Sequence, residues 1–151
     1  KIFVDLVDDY IKPLNITGKI LEFGSGPGPV LKELLIRERY DVFDFDPFFH
    51  KNLEYLRHTY QLITSTEVVE HFVEPLKEFE HLSNLLEQGG YLLLMTRLRT
   101  MDTFEFLNWW YRRDLTHISF YTLDTMIEIG KRNCLELVES NNINVILFKK
   151  I

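Results

Sequence analysis

The 151-residue sequence predicts an α/β fold, a three-layer sandwich whose mostly parallel sheet ends in an antiparallel C-terminal hairpin. Two observations predict it. Short apolar runs bounded by turn residues alternate with segments that carry apolar residues at helical spacing, so strands and helices alternate along the chain. Near the C-terminus, two strand-like segments flank Asn141 and Asn142, a pair that favours a tight hairpin turn.

Each predicted element follows from a local pattern. An apolar stripe that ends near Pro13 predicts an N-terminal amphipathic helix, whose apolar face should lie on the domain. The right-handed crossover rule makes the first two strands parallel. Gly89 and Gly90 predict the end of one helix, and Thr122 or Asp124 the N-cap of another. In chain order, the predicted elements are a helix over 1–12, a strand over 20–23, a helix over 30–39, a strand over 40–45, a short helix over 50–58, a strand over 60–64, a helix over 74–86, a strand over 91–96, helices over 104–113 and 122–132, and hairpin strands over 135–139 and 143–149.

The charge and cysteine content restrict the class of protein. Seventeen Lys and Arg residues against 23 Asp and Glu residues give a formal charge of −6, which disfavours binding to nucleic acid or anionic lipid. No apolar run approaches the roughly 20 residues that span a bilayer. Cys134 is the only cysteine, which fits a reducing compartment. We therefore expect one cytoplasmic domain over 1–151, with an N-terminal helix over 1–17 and a core over 18–151.

A glycine-rich loop follows the first predicted strand. Gly24, Gly26 and Gly28 allow left-handed backbone and remove Cβ atoms, and the next helix directs its N-terminal amides to the same place. The loop is therefore suited to close contact with a ligand. A dinucleotide fingerprint needs a small residue where Pro29 stands, and no Gly-Lys-Ser/Thr sequence completes a phosphate-binding P-loop.

Asp46 follows the second predicted strand, 22 positions beyond Gly24. An acidic side chain at about this distance is placed to hold a ribose diol, and Pro47 and Phe48 supply a wall for the base. The alternative is that Asp46 is a helix N-cap. Together with the glycine loop, Asp46 favours the ligand-binding interpretation.

Four segments match a family pattern in their order along the chain. They are Glu22-x-Gly24-x-Gly26-x-Gly28 after the first strand, Asp46 after the second, Thr66-Glu67-Val68-Val69-Glu70-His71 after the third, and Gln88-Gly89-Gly90 before the next. In these segments the chain resembles class I S-adenosylmethionine-dependent methyltransferases, over about residues 19–149. Residues 109–121 are also similar to a bacterial-type subgroup of small-molecule or uncharacterised methyltransferases.

The resemblance implies a Rossmann-like fold, S-adenosylmethionine as cofactor, and methyl transfer to an oxygen, nitrogen or carbon nucleophile of a small molecule. It implies that the glycine loop lies beside the methionine and ribose, that Asp46 binds the ribose hydroxyls, and that Phe48 lies near the adenine. The residues that it implies at the cofactor are Glu22, Phe23, Gly24, Ser25, Gly26, Gly28, Asp46, Pro47, Phe48, Ser65, Thr66 and Glu67.

Three residues are candidates for catalysis: His71, His117 and Glu70. Transfer to oxygen or nitrogen requires removal of a proton, and histidine is the side chain that normally titrates near neutral pH. The alternatives are that His71 holds a helix start by a hydrogen bond, that His117 is structural, and that Glu70 is an exposed surface carboxylate.

Two further segments bear on the substrate and on metals. Arg112 and Arg113, beside an aromatic stretch over 104–111, are candidates to hold a substrate carboxylate or phosphate. The Glu67-x-x-Glu70-His71 segment lacks the first histidine of a zinc motif, so no metal is predicted.

The chain departs from the family pattern at two places. Gln61 stands where relatives usually carry Asp, and only 13 residues separate Asp46 from Tyr60, where many relatives have an additional strand. Two other functions therefore remain as alternatives. One is a non-catalytic methyltransferase-like binding module, and the other is a nucleotide-binding oxidoreductase.

The Asp46→Ala substitution is expected to weaken cofactor binding by at least about tenfold, because it removes both acceptors for the ribose hydroxyls. Calorimetric titration with S-adenosylmethionine measures this. An unchanged affinity would remove Asp46 from the site.

Overall fold

The computed structural model describes residues 1–98 and 121–151. These residues form a six-stranded sheet with helices on both faces. The strands are β1 (Lys19–Phe23), β2 (Asp41–Phe45), β3 (Tyr60–Thr66), β4 (Leu86–Met95), β5 (Leu135–Ser140) and β6 (Val145–Lys150). The α-helices are α1 (Ile2–Leu6), α2 (Val30–Arg37), α3 (Pro75–Leu85) and α4 (Leu123–Arg132). Short 3₁₀ turns cover Lys12–Leu14, Leu53–Arg57 and Val69–His71, and a π-helical turn covers Val7–Ile11.

The strand order is β2-β1-β3-β4-β6-β5. The pairs among β2, β1, β3 and β4 are parallel, whereas β6 is antiparallel to both β4 and β5. This confirms the predicted Rossmann-like α/β fold, with its mostly parallel sheet and C-terminal hairpin. The chain runs outward from β1 to β2 and then crosses to the other side of β1 to form β3, so the strand order reverses at the β1–β3 boundary.

The two faces of the sheet bury two separate apolar cores, which gives the three layers. Successive residues of each central strand point to opposite faces, so Leu21 and Ile63 lie in one core, while Ile20 and Leu62 lie in the other. Helices α3 and α4 cover the first core through residues such as Phe79 and Met126. The second core is covered by α1, the π-helical turn and α2, through Leu6, Val7, Ile11, Leu31 and Leu35. The predicted apolar face of the N-terminal helix therefore does pack on the sheet.

One local prediction was wrong. Gly89 and Gly90 do not end a helix: α3 ends at Leu85, and both glycines lie inside β4. There the pairing jumps from Tyr60 with Leu86 to Leu62 with Tyr91, and Gly89 takes a φ of +77° in the resulting bulge. The short helix predicted over 50–58 is present as a 3₁₀ helix over Leu53–Arg57, where the Asn52 side chain accepts from the Glu54 amide.

The departures from the family pattern have structural counterparts. The Gln61 side-chain oxygen accepts hydrogen bonds from the Thr17 and Gly18 amides, at 2.8 and 2.6 Å, and so ties β3 to the turn before β1. Strand β2 is an edge of the sheet within the described part of the chain, and the short connection after Asp46 reaches β3 without a further strand. Thr122 rather than Asp124 caps α4, by accepting from the Thr125 amide.

Some predictions remain as they were. The helix predicted over 104–113 lies outside the described residues. The division of a single domain into an N-terminal helix over 1–17 and a core over 18–151 stays a prediction. None of the helices in 1–98 and 121–151 has the length and apolar character that a bilayer span requires.

Phe79→Ala should lower the free energy of unfolding by about 3–5 kcal/mol, because Phe79 is fully buried between Phe72 and Tyr121 and its loss leaves a cavity. Leu76→Ala on the same helix is the control. Leu76 is 48% exposed, so its loss should cost well under ~1 kcal/mol. Equal effects in urea unfolding would contradict the packing described for α3.

Candidate functional site

The candidate site lies at the carboxyl ends of β1, β2 and β3, where the strand order reverses. The glycine loop leaves β1, the Asp46 loop leaves β2, and the segment from Thr66 to His71 leaves β3. In open α/β sheets this crevice is where ligands bind. The predicted cofactor residues therefore follow strand ends that adjoin one another in the sheet.

The glycine loop is attached to the end of β2 by its backbone amides. The Gly24 amide donates to the Phe45 carbonyl at 2.6 Å, and the Ser25 amide makes a longer bond of 3.3 Å to the same oxygen. The Gly26 amide donates to the Asp46 Oδ2 atom at 2.9 Å. Three successive amides thus find partners on the neighbouring strand end, which holds the loop in one conformation.

Gly24 cannot be replaced without strain. Its φ is +81°, which side-chain-bearing residues rarely adopt, and a Cβ atom there would lie 2.4 Å from the Val68 Cγ2 atom. Gly26 and Gly28 differ, because a Cβ atom at either position would meet no atom within 4 Å. The outer surface of the loop is therefore open, as a cofactor cradle requires.

The Asp46 carboxylate accepts hydrogen bonds from the glycine loop and from the loop that follows β2. Its side chain is 7% exposed, and its Oδ1 atom accepts from the Phe48 and Phe49 amides at 2.8 and 3.1 Å. No helix begins at Asp46, so it is not the helix N-cap of the alternative interpretation. Instead, Asp46 and His50 exchange two backbone hydrogen bonds and close a tight loop. Phe48 lies on this loop and is 81% exposed, so its ring is available to a ligand.

Asp44 and Lys32 were missed by the sequence analysis. Asp44 lies opposite Glu22 in the β1–β2 ladder, and its Oδ1 atom accepts from the Lys32 Nζ atom at 2.8 Å. Its Oδ2 atom accepts from the Ser25 hydroxyl at 3.2 Å. The available signal was the Asp-x-Asp spacing at the end of β2, since residues two apart in a strand point to the same face.

Glu22 is a buried carboxyl group, 3% exposed, on the face of the sheet that α2 covers. Burial is the main cause that raises its pKa, and the Asp44 carboxylate adds to the effect, whereas Lys32 opposes it; the result is a pKa of about 7 against an ordinary 4.5. Its Oε2 atom has no hydrogen-bond partner among the described residues. Glu22 can therefore change its charge near neutral pH.

The residues at the end of β3 fix the path of the chain into the next segment. The Ser65 side chain is fully buried, and its hydroxyl donates to the Phe23 carbonyl at 3.1 Å, so it joins the ends of β3 and β1. Thr66 is partly buried and ends the strand. Glu67 has a left-handed φ of +57°, and its amide donates to the Met95 carbonyl at 2.7 Å. This sharp turn sends the chain from β3 across the end of β4.

Glu70 is buried, with 6% exposure, so the alternative that it is an exposed surface carboxylate was wrong. The Thr96 hydroxyl donates a short hydrogen bond to its Oε2 atom. Its Oε1 atom lies 4.0 Å from the His71 Nε2 atom and accepts no hydrogen bond within the described structure. The Tyr121 hydroxyl donates to the Val69 carbonyl at 2.8 Å and so fixes the turn that carries Glu70.

Three of the predictions concern residues outside the described part of the chain: His117, the Arg112 and Arg113 pair, and the aromatic stretch over 104–111. Within the described ranges, no three His, Cys, Asp or Glu groups are arranged to hold a metal ion.

Comparison with protein families identifies the family of the chain. A family model described as "Methyltransferase domain" matches residues 2–140 of the chain. The comparison with curated proteins found no matching sequence.

Solved structures with the same fold include several methyltransferases. Magnesium protoporphyrin IX methyltransferase from Synechocystis PCC 6803, solved with bound S-adenosylhomocysteine, is 13% identical with a TM-score of 0.69, over 98% of this chain and 80% of that protein. A SAM-dependent methyltransferase from Thermotoga maritima is 14% identical with a TM-score of 0.60, over 99% of this chain and 89% of its own. Mitomycin 7-O-methyltransferase is 7% identical with a TM-score of 0.68; the match covers 88% of this chain, which spans only 49% of that protein.

Gly24→Ala should destabilise the protein by at least ~1 kcal/mol, because alanine pays for the left-handed φ and its Cβ atom overlaps Val68. Gly28→Ala is the matched control, and it should change stability by no more than about 0.5 kcal/mol. Chemical unfolding of both variants measures the difference. Equal stabilities would contradict the close packing of Gly24.

Proposed function

The chain belongs to the methyltransferase-domain family, and we propose that it is a class I S-adenosylmethionine-dependent methyltransferase that transfers the methyl group to an oxygen, nitrogen or carbon nucleophile of a small molecule. The observation that carries this proposal is the glycine loop, which is attached at its inner side by three amides and open at its outer side. The acidic net charge of −6 supports a small acceptor rather than nucleic acid. A cytoplasmic location remains part of the proposal.

The residues at the strand ends fit the cofactor. Gly26 and Gly28 leave room for the methionine and ribose, and Asp46 retains acceptor capacity toward the ribose hydroxyls beside its three amide bonds. Phe48 offers an exposed ring to the adenine. When bound, S-adenosylmethionine supplies an electrophilic methyl group on a positively charged sulfur. The protein then has two tasks, which are to orient the acceptor and to take up its proton.

Glu70 is our candidate for the second task. Its Oε2 atom is fixed by Thr96, and its Oε1 atom is buried without a hydrogen-bond partner among the described residues, so Oε1 is the atom that would take up the proton once an acceptor hydroxyl or amine reaches it. His71 adjoins Glu70 and is more exposed, so it is placed to pass a proton to solvent. The same arrangement orients the acceptor, because a fixed carboxylate defines where its donor group lies.

Thermal shift with S-adenosylmethionine, S-adenosylhomocysteine and NAD in parallel tests cofactor binding. A ligand at ~100 times its Kd adds about 2.7 kcal/mol, which should raise the Tm by roughly 5–10 °C for a domain of this size. We expect shifts with the two adenosyl sulfur compounds and none with NAD. A shift with NAD alone would favour the oxidoreductase alternative.

Methyl transfer is then assayed with phenols, amines and carbon acids as acceptors. Glu70→Gln should lower kcat on the best acceptor by about 10²–10⁴-fold and leave the Kd for S-adenosylmethionine unchanged, because it removes a base without removing cofactor contacts. Glu74→Gln is the matched control, since Glu74 is exposed on the same segment. An unchanged kcat in Glu70→Gln would exclude Glu70 as the base. Cofactor binding without any turnover would favour the non-catalytic binding module.

A further inference from the structure

Glu22, Asp44 and Lys32 form a buried charged cluster on the α2 face of the sheet, which we call the β1–β2 charge cluster. Glu22 and Asp44 are directly opposite in the parallel ladder, so their carboxyl groups point to the same face. Lys32, on the first turn of α2, donates to Asp44 at 2.8 Å. Neither the transfer step nor the acceptor side of the proposed function uses this cluster.

The cluster is connected directly to the glycine loop. Asp44 accepts from the Ser25 hydroxyl, and Ser25 lies between the two glycines whose amides attach the loop to β2. A change in the charge of the cluster therefore acts on the segment that contacts the cofactor. Solvent reaches the cluster through a cleft of about 370 Å³ that Lys32, Asp44 and His50 line, which gives protons a route.

The charges facing Glu22 can be counted element by element among the described residues. Strand β2 contributes the Asp44 carboxylate, and α2 contributes the Lys32 ammonium. The loop after β2 contributes His50, whose Nδ1 atom is 3.7 Å from Asp44, and the Asp46 carboxylate, which accepts from three amides and lies outside the cluster. Strand β3 contributes only the neutral Thr64 hydroxyl. With Glu22 ionised the cluster carries one net negative charge, and with Glu22 protonated it carries none.

We propose that the β1–β2 charge cluster is a proton-linked positioning device for the glycine loop, which favours the methyl donor over the demethylated product when Glu22 is ionised. The physical reason is a difference in ligand charge. S-adenosylmethionine carries a sulfonium, an ammonium and a carboxylate, for a net charge of +1, whereas S-adenosylhomocysteine has lost the sulfonium charge and is neutral. A nearby negative charge in a partly buried site attracts the first more than the second. The inference rests on the proposed function, because it requires the cofactor at the glycine loop.

The elevated pKa of Glu22, about 7, places this proton exchange in the neutral range. Replacement of product by donor would then be more favourable at higher pH, because the ionised cluster binds the donor more tightly and leaves the affinity for the product unchanged. Glu22 and Asp44 act on the cofactor through the glycine loop and through the electrostatic field of the cluster. They are therefore positioning residues rather than catalytic ones.

The test is calorimetric titration with S-adenosylmethionine and S-adenosylhomocysteine at pH 6 and pH 8. For the wild type, the ratio of product Kd to donor Kd should rise by roughly 3- to 10-fold between the two pH values. The sulfonium lowers the pKa of the amino group in S-adenosylmethionine relative to S-adenosylhomocysteine, so the ligands' own titration is removed by comparison with Glu22→Gln. In Glu22→Gln, which is neutral at both pH values, the rise due to the cluster should be absent. Glu33→Gln is the matched control, because it removes an exposed charge from the first turn of α2 and should behave like the wild type.

A second variant keeps the proposal testable if Glu22→Gln does not fold. Asp44→Asn removes the neighbouring negative charge, so the pKa of Glu22 should fall and the rise in the ratio should begin at lower pH. A ratio that is independent of pH in the wild type, or one that changes equally in Glu22→Gln, would overturn this inference alone. Failure of both ligands to bind at either pH would overturn the proposed function together with it.

The cofactor-free protein offers an independent measurement. The folded pKa of Glu22 is raised above the unfolded value, so its contribution to stability is complete below about pH 4.5 and is lost as pH rises through about 7. The wild type should therefore lose stability relative to Glu22→Gln over this range. Parallel curves for the two proteins would show that Glu22 does not titrate there and would contradict the proposal.

Discussion

The attachment of the glycine loop to the end of β2 is the interaction on which the site depends. A loop that leaves a buried strand carries amides that need partners, and here the Phe45 carbonyl and the Asp46 carboxylate supply them. Those partners exist only because the crossover through α2 places β2 beside β1 in parallel register. That register sets the conformation of the glycine loop. It therefore also sets the packing of Gly24 on Val68 and the open surface above Gly26.

Glu22 and Glu70 are two of the buried acidic groups at this edge of the sheet, and their surroundings differ. Glu22 lies on the α2 face with Asp44 and Lys32 as its charged neighbours, whereas Glu70 lies beyond β3 and is fixed by the Thr96 hydroxyl. A buried carboxylate is costly unless it is paired or hydrogen-bonded, so neither group contributes to stability as an apolar residue would. Their retention at one crevice fits a functional role, in positioning the loop for Glu22 and in taking up a proton for Glu70.

Most of the fold followed from local pattern, and the errors have specific causes. The strands and helices were predicted because apolar runs and helical stripes report which face of each element is buried. Gly89 and Gly90 were misplaced because a glycine pair predicts a helix stop as readily as a bulge, and only the pairing of β4 with β3 distinguishes the two. Gln61 seemed a simple departure from the family pattern, yet its side chain holds the turn before β1 from 43 and 44 residues away.

The sequence by itself determined the α/β class, the glycine loop, Asp46 and the family, because each depends on residue type at short spacing. Only the tertiary structure decided which groups meet. It placed Asp44 beside Glu22 in the sheet and Lys32 within hydrogen-bond distance of Asp44. It also buried Glu70 against Thr96, 26 residues further along the chain. Strand register and crossovers set these contacts, and they in turn reflect the burial of two whole apolar cores. Burial and charge, which decide how a carboxyl group titrates, are therefore properties of the assembled sheet and not of any segment of the sequence.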